Sequence, residues 1–564
     1  MVKKVNWQAI ILFAVTGLVV YLVVVPLAML LVTSFKTVDI GESGPFTVIN
    51  YINVFLDSET YALLYNTSLF ALVSLGIGIP LGVFFAWLVE RTNAPFRDLA
   101  FALIPLTVAI PSMLYGISWL LLLSPNIGVI NVGLTNLFGL AKPIFNPYSI
   151  FGMGFVEGLR VASTTFLMVV GVFRSMDPSL EEAAATSGAS TFTTLRLVTL
   201  KLMLPGILAA TIYCLTTAFD TFEIPAVLGM PRGIHVFATK IYQATHEVQR
   251  DYGMISTLSV VLLIIACFWV YLYGRATKHV EDYATVTGKG YRPKVIDLGR
   301  WKYLGTAAFC AHFLIVIVAP MFIMVWGSLL PAYQVPSREA LSLISFKAYY
   351  QILTFPFLAD ALKNTFIMLL FVPTITVLLC AIIAWIVVRT RIRGRKILDA
   401  LSFIPHGMPA IVLALAIMWL YLRLPFLGIY GTIWIIILAF VTRYLAYGTR
   451  AMNGAMSQIH KELEEAAQTS GASWVTTFSR ITTPLLIPSL VAVWIWTGMH
   501  VVRELSISVM LYSPESRVLS VLIWDLWQNG DVSYTCAIGV MLVIFLGCLL
   551  FFGRRFALLK MRQS

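Results

Sequence analysis

Charge is scarce in this sequence. Asp, Glu, Lys and Arg together account for 12% of the 564 residues, whereas 59% are hydrophobic and the mean hydropathy is +0.87. A soluble domain of this composition could not present a polar surface to water. The composition therefore predicts an all-α polytopic protein that crosses a membrane many times.

Motifs for catalysis and for metal binding are also missing. The six cysteines all lie in apolar runs without CxxC or Cys/His spacing, so we expect small core residues rather than disulfides or metal ligands. Gly288-Lys289-Gly290 lacks the spacing of a phosphate-binding loop. No nucleophile, metal or paired-acid constellation stands out, which predicts a chain that is not an enzyme and holds no cofactor of its own.

Long apolar runs occupy most of the chain. About 20 apolar residues suffice to cross a bilayer. The first run, from about Ala9 to Val32, is longer than the apolar part of a signal peptide and lacks an A-x-A-like exit, so we interpret it as a retained span. Twelve spans are predicted, near residues 9–35, 64–89, 99–124, 149–173, 204–229, 253–274, 304–330, 364–388, 398–422, 429–449, 485–508 and 534–553.

The segments between the spans differ in charge. If both termini are cytoplasmic, the inner segments carry an excess of Lys and Arg, and the rest of the chain a slight excess of Asp and Glu. Short loops follow this positive-inside pattern, so the net charge of +12 indicates membrane topology rather than nucleic-acid binding. We interpret the basic run from Arg389 to Lys396 as a topology anchor.

Several short patterns recur in the same order in both halves of the chain. Their offsets drift only where loops change length, which indicates two related six-helix units of the same orientation. We place these units at residues 1–275 and 304–564, joined by a cytoplasmic linker at 276–303. The recurring pairs are Asn66-Thr67 with Asn364-Thr365, Arg91-Thr92 with Arg389-Thr390, Ile104-Pro105 with Ile404-Pro405, Trp119 with Trp419, and Glu182-Ala183-Ala184 with Glu465-Ala466-Ala467.

Two cytoplasmic loops, residues 175–203 and 450–484, carry the most informative repeat. Each contains Glu-Glu-Ala-Ala followed by a glycine, Gly188 or Gly471. Acidic residues in the first turn suit the positive end of a helix dipole, and a glycine can end a helix. The Ala, Thr and Ser side chains between them would let another protein approach the backbone closely. We therefore predict two short helices that dock a partner.

These loops resemble the shared motif of permeases of binding-protein-dependent ABC importers: Glu-Ala-Ala, three residues, Gly, nine residues, then Ile-x-Leu-Pro. The second half fits, with Thr483 where Leu is usual, and the first half has Lys201 where Pro is expected. The resemblance implies a fused type I permease with two pseudo-symmetric domains that dock unequally. It also implies a bacterial or archaeal inner membrane as the location and alternating access as the mechanism.

The resemblance further implies partners and contact residues. Two copies of a separate ABC ATPase subunit would bind ATP and Mg²⁺, and a periplasmic or lipid-anchored binding protein would deliver the solute. Membrane lipid surrounds such a protein, and nucleic acid is not a partner. The residues implied to contact the ATPase are Glu182, Ala183, Ala184 and Gly188 in the first half, and Glu465, Ala466, Ala467 and Gly471 in the second.

Four charged residues lie near the predicted outer ends of spans 5 and 11: Asp220, Glu223, Arg503 and Glu504. Charges within spans usually face the bundle interior or water. They either line the transport path or its gate, or form an ion pair between the halves, such as Asp220 with Arg503; both can hold. We expect His406 and His500 to serve packing and hydrogen bonding rather than metal binding.

Three stretches resemble the ferric-iron members of this family most: linker residues 287–293 with 297–300, Arg503–Ser506 and Leu519–Ile523. They imply ferric iron as the solute, with aminoethylphosphonate, thiamine or a polyamine as alternatives. A secondary transporter driven by an ion gradient is the alternative from another class. It would place charges in broken helices at mid-membrane and would lack paired docking loops.

Overall fold

The structure is a computed structural model that describes residues 7–40, 42, 44–176, 179–278 and 295–561. Its regular elements are helices, and its β-type pairing is one parallel bridge between Thr92 and Ile296. Ten described helices are long and apolar enough to span a membrane, and counting each of two sharply bent helix pairs as one span gives twelve. In chain order, spans 1 to 12 are Ile10–Ser34, Ser58–Arg91, Arg97–Ala109 with Ser112–Leu123, Ile150–Arg174, Thr191–Asp220, Tyr252–Ala276, Trp301–Ser328, Leu358–Arg389, Arg395–Gly407 with Ala410–Arg423, Ile433–Gln458, Ser479–Arg503 and Val532–Leu549.

Each of the twelve predicted spans has a counterpart in the predicted order, ten as single helices and two as bent pairs, but the outer ends of spans 5 and 11 were predicted too long. Span 5 ends at Asp220 and span 11 at Arg503, and the next residue in each case has extended backbone. The apolar sequence continues in separate short helices that begin at Glu223 and Ser506. Hydropathy cannot register such a break, because the residues on both sides of it are equally apolar.

Spans 3 and 9 are broken near their middle. Their two helices meet at 98° in span 3 and at 110° in span 9. Each second helix begins directly after a proline, Pro111 or Pro409. Proline lacks the backbone N–H and cannot continue the preceding helix. The breaks leave backbone N–H and C=O groups that need partners from elsewhere in the protein.

Shorter helices connect the spans. They are Ile49–Leu56, Val129–Phe138, Glu223–Leu228, Phe237–His246, Arg338–Ser342, Lys347–Leu353, Ser506–Leu511 and Leu519–Gln528, and, in the two loops predicted to dock a partner, Ser179–Thr186, Thr191–Thr194, Lys461–Thr469 and Trp474–Thr477. A π-helical turn follows, at Leu195–Thr199 and at Phe478–Thr482, and leads into the long helices of spans 5 and 11, Leu200–Asp220 and Thr483–Arg503.

The two halves exchange their first spans. Span 1 packs against span 6 of its own half and against span 9 of the other, where the hydroxyls of Tyr21 and Tyr421 are 2.7 Å apart. Span 7 packs in the same way against spans 12 and 3, and the Tyr333 hydroxyl beyond it donates to the Leu121 carbonyl at 2.9 Å. One hydrophobic core therefore runs through both halves.

Span 9 lies at the centre of that core. Residues 411–417 of its second helix are fully buried, as expected for a helix that is apolar on all sides. The expectation that all six cysteines are core residues was wrong in part: Cys214, Cys380 and Cys536 are buried, but Cys267, Cys310 and Cys548 are exposed. An apolar run does not reveal which helix faces point outward toward lipid.

Residues 279–294, which hold most of the predicted linker and the Gly-Lys-Gly stretch, lie outside the described residues. The linker's last residues contact the loop after span 2. The Asn93 amide donates to Asp297 at 2.6 Å, and the Asn93 backbone N–H donates to the Ile296 carbonyl at 3.1 Å. The backbone N–H of Gly299 and the Asn93 amide hold the pKa of the Asp297 carboxyl below its usual range.

Candidate functional site

Two regions bring the predicted functional residues together. The first consists of the docking segments, residues 179–199 and 461–482, which contain the repeated Glu-Glu-Ala-Ala motif. The second is a group of charged side chains between the halves, here called the inter-half cluster: Glu157, Arg160, Asp220, Glu223, Arg443, Arg503 and Glu504.

The two docking segments have the same local geometry. Two residues after each docking helix, Ser179–Thr186 or Lys461–Thr469, lies a glycine with positive φ, Gly188 at +82° or Gly471 at +85°. The next residue donates its N–H back to the helix at 3.0 Å in both segments, from Ala189 to Ala184 and from Ala472 to Ala467. A left-handed residue in this position favours glycine, because a Cβ atom is strained there.

The docking helices present small side chains to the outside. None of the residues of Ser179–Thr186 is buried, and Glu465, Ala466 and Gly471 are exposed in the second segment. A groove of about 400 Å³ runs beside the first helix, lined by Leu180, Ala183, Ala184, Ser187, Leu197, Val198, Lys201 and Leu202. The residue that departs from the family motif, Lys201, therefore lies in the groove wall.

Asp220 joins the two halves through a partner other than the one suggested from the sequence. Its carboxylate forms an ion pair with Arg443 in span 10 and accepts the Ala410 backbone N–H at 2.6 Å. Arg443 also donates to the Met408 carbonyl. Asp220 and Arg443 thus satisfy the backbone groups that the break in span 9 leaves open. The suggested pair of Asp220 with Arg503 is not formed.

Arg503 serves the other broken span. It donates to the carbonyl of Val108, the next-to-last residue of the first helix of span 3, and to His500 Nε2 at 2.7 Å. Val108 belongs to the first half and Arg503 to the second, so this contact also crosses between the halves. Both interruptions are therefore held by charged side chains of the opposite half, as irregular backbone at membrane depth requires.

Glu223 and Glu504 have polar partners at the starts of short helices. Glu223 accepts from the Ser506 hydroxyl of the other half at 3.2 Å. Glu504 accepts from the Ile507 N–H at 3.2 Å and so caps the helix Ser506–Leu511. These contacts fix the two carboxylates at the interface. A role in the transport path or its gate stays a prediction for all four residues named from the sequence.

Sequence reasoning missed Glu157, Arg160 and Arg443. Glu157 and Arg160 pair at 3.1 Å in span 4, with side chains that are 8% and 16% exposed. A signal was present: Arg160 and Arg443 lie inside apolar spans and are separated by 283 positions, the offset of the docking segments. Charges at equivalent depth in the two halves mark the interface.

Both histidines named from the sequence make ring contacts, and His500 also forms hydrogen bonds with the Trp496 carbonyl and with Arg503. His406 stacks between Phe403 and Tyr213, and His500 lies on Trp496 with ring centroids 3.9 Å apart. Among the residues that the structure describes, no three His, Cys, Asp or Glu side chains are grouped as metal ligands.

Known proteins match both halves of the chain. Residues 78–276 and 313–559 match the family described as "Binding-protein-dependent transport system inner membrane component". A ferric transport system permease protein, FbpB, of Actinobacillus pleuropneumoniae is 26% identical over 90% of this chain and 75% of its own length. An Fe(3+)-transport system permease protein of Haemophilus influenzae is 23% identical over 88% of this chain and 90% of its own.

Other similarities cover one half. A putative 2-aminoethylphosphonate transport system permease protein, PhnV, of Salmonella paratyphi A is 26% identical over 31% of this chain and 65% of its own. A solved bacterial alginate ABC transporter is 19% identical over 44% of this chain and 91% of its matched chain, with a TM-score of 0.37. From the family match over most of its length, this chain belongs to the binding-protein-dependent transport system inner membrane components, and it contains the family's domain twice.

Proposed function

We propose that the chain is the permease of an ATP-binding-cassette importer that moves ferric iron, delivered by an extracytoplasmic binding protein, across the inner membrane by alternating access. The observation that carries this proposal is the pair of docking segments, whose helices, glycines and caps agree position by position. Two equivalent surfaces on one chain suit a partner with two equivalent sites. A homodimeric ATPase that binds ATP and Mg²⁺ is such a partner.

In this proposal the docking helices lie in the cytoplasm, as do both termini. The exposed alanines and the positive-φ glycines let the ATPase surface come close to the helix backbone. The acidic residues Glu182 and Glu465 precede these alanines and supply charge at the contact. The groove beside Lys201 makes the first contact different from the second, which has Pro484 at the equivalent position.

In this proposal the inter-half cluster is the region whose contacts change during alternating access. Asp220–Arg443 and Arg503–Val108 join the halves across their interface. A path between the halves can open at this level when those contacts separate or change partners. Separating a largely buried ion pair costs free energy. ATP-driven closure of the docked subunits would supply it.

Ferric iron as the solute is supported by the names of the relatives that span most of the chain. The cluster's four carboxylates, Glu157, Asp220, Glu223 and Glu504, are oxygen ligands of the kind that hard cations prefer. Its three arginines, Arg160, Arg443 and Arg503, suit an anionic solute instead. They favour a phosphonate as the second candidate, and one relative that matches part of the chain is named for 2-aminoethylphosphonate transport.

The test is reconstitution of the chain in proteoliposomes with its cognate ATPase and binding protein. We expect ATP-dependent uptake of radioactive iron, and elemental analysis of the isolated binding protein should find iron. Uptake of 2-aminoethylphosphonate instead would replace the solute and keep the mechanism. Uptake driven by an ion gradient without any ATPase would overturn the importer itself and favour a secondary transporter.

A further inference from the structure

Each docking helix is tied to the membrane domain by a buried ion pair. Arg91, the last residue of span 2, lies 3.3 Å from Glu181 in the first turn of the first docking helix. Arg389, the last residue of span 8, lies 3.1 Å from Glu464 in the second. The arginine side chains are 2% and 4% exposed, and the glutamates 10% and 15%. The basic run from Arg389 to Lys396, interpreted from the sequence as a topology anchor, therefore begins with a buried arginine.

The same arginines hold a third element. Arg91 donates to the Phe173 carbonyl at 3.0 Å, near the end of span 4. Arg389 donates to the carbonyls of Met456 and Ile459, at 3.0 and 2.7 Å, at the end of span 10. Each guanidinium thus joins the cytoplasmic ends of two long spans to the docking helix.

The glutamates reach a fourth element. Thr199 donates to Glu181 at 2.6 Å, and Thr482 donates to Glu464 at 3.1 Å. Both threonines end the π-helical turn that leads into span 5 or span 11. One carboxylate in each half therefore joins the docking helix to two spans. It contacts span 2 or 8 through the arginine, and span 5 or 11 through the threonine.

This arrangement is present in both halves, although neighbouring residues differ between them, such as Lys201 and its equivalent Pro484. The first docking helix has no buried residue that would fix it by packing. A force on such a helix would turn the loop rather than move the spans. The ion pair resists that turning, because its guanidinium is itself held by hydrogen bonds to carbonyls at the end of span 4 or span 10.

We propose that Arg91–Glu181–Thr199 and Arg389–Glu464–Thr482 are positioning residues that transmit ATPase movement from the docking helices to the spans. This inference rests on the proposed importer function. The residues Glu181 and Glu464 act inward on the permease, whereas their neighbours Glu182 and Glu465 belong to the contact with the ATPase. The two roles are separable by substitution.

The test compares Glu464→Gln with Asp98→Asn in the reconstituted transporter. The Asp98 side chain is fully exposed and lies outside both docking segments. We expect both variants to keep the ATPase bound and hydrolysing ATP. In Glu464→Gln the solute moved per ATP should fall about tenfold, because the ion pair with Arg389 is lost and the Thr482 hydroxyl no longer donates to a charged group. Asp98→Asn should match the wild type.

A second variant distinguishes a loss of coupling from misfolding. Removing one partner of a buried pair leaves the other charge uncompensated, whereas replacing both with apolar residues is often tolerated. Arg389→Met combined with Glu464→Leu should therefore insert and melt close to the wild type, yet still transport with a reduced ratio to ATP hydrolysed. Glu464→Asp should restore part of the ratio.

The outcomes separate the two claims. If the wild-type chain recruits no ATPase, the importer function is wrong. If the wild type couples normally and the double variant does so equally well, the positioning role is wrong while the importer stands. Loss of ATPase binding in Glu464→Gln would also overturn it, because the residue would then act in docking.

Discussion

The contact of Asp220 with Arg443 lends itself to a quantitative test. Replacing Asp220 with alanine removes the ion pair and the acceptor of the Ala410 N–H, and leaves Arg443 with the Met408 carbonyl. Breaking a fully buried pair costs about 3–5 kcal/mol. The two side chains here are 20% and 22% exposed, so solvent screens part of the charge. We expect a loss of about 2–3 kcal/mol for Asp220→Ala.

Asp220→Asn should be milder. An amide oxygen can still accept the Ala410 N–H, and the loss is then the difference between a charged and a neutral hydrogen bond, about 1 kcal/mol. Asp98→Asn is the matched control, since the Asp98 side chain is fully exposed. Its effect should stay within about 0.5 kcal/mol.

The assay is thermal unfolding of the purified protein in detergent, followed by tryptophan fluorescence. The apparent melting temperature should fall in the order Asp98→Asn, Asp220→Asn, Asp220→Ala. A double-mutant cycle of Asp220 with Arg443 should give a coupling of about 1–3 kcal/mol, and the same cycle with Arg503 a smaller one. Equal melting of Asp220→Ala and the control, or a larger coupling to Arg503, would refute the assignment of the pair.

Three further outcomes are expected. Gly471→Asp or Gly188→Asp should insert normally but lose transport, since each glycine has positive φ and ends a docking helix; normal ATPase coupling in either variant would contradict the docking role. Asn364→Ala should lower the apparent melting temperature, because the Asn364 amide donates to the carbonyls of Glu515 and Arg517, both at 2.9 Å. Loss of two such hydrogen bonds costs roughly 1–3 kcal/mol. An unchanged melting curve would count against these bonds. Lys201→Pro should lower the free energy of unfolding by no more than about 1 kcal/mol, because the second half has proline after the same π-helical turn. Proline in an ordinary helix interior costs about 3 kcal/mol. Failure of this variant to insert would show that the two turns differ.

Much of the fold could be predicted from the sequence. The twelve spans and their order follow from apolar runs, because lipid demands about 20 apolar residues whatever their neighbours. The doubled motif predicted the docking helices, since acidic first turns and terminal glycines act locally. The exchange of spans 1 and 7 could not be predicted, because an apolar run does not indicate which other run it contacts.

The partner of Asp220 shows a limit of repeat analysis. Asp220 and Arg503 align at the same offset, so they are equivalent positions in the two halves. Equivalent residues lie on opposite sides of a pseudo-twofold axis and touch only when they are next to it. Arg443 is instead the equivalent of Arg160, and the symmetric counterpart of the observed pair would be Arg503 with Arg160. Two positive charges cannot pair, and Arg503 binds a carbonyl instead.

The exchanged first span has a consequence for biogenesis. Tyr21 meets its partner Tyr421 only after 400 more residues have been made. At a synthesis rate of about 5–20 residues per second, that interval is roughly 20–80 s. Through this time the inner face of span 1 has no surface of the second half to cover it, and the insertion machinery or membrane lipid must shield it. A single polypeptide keeps that waiting helix tethered beside the site where its partner will emerge.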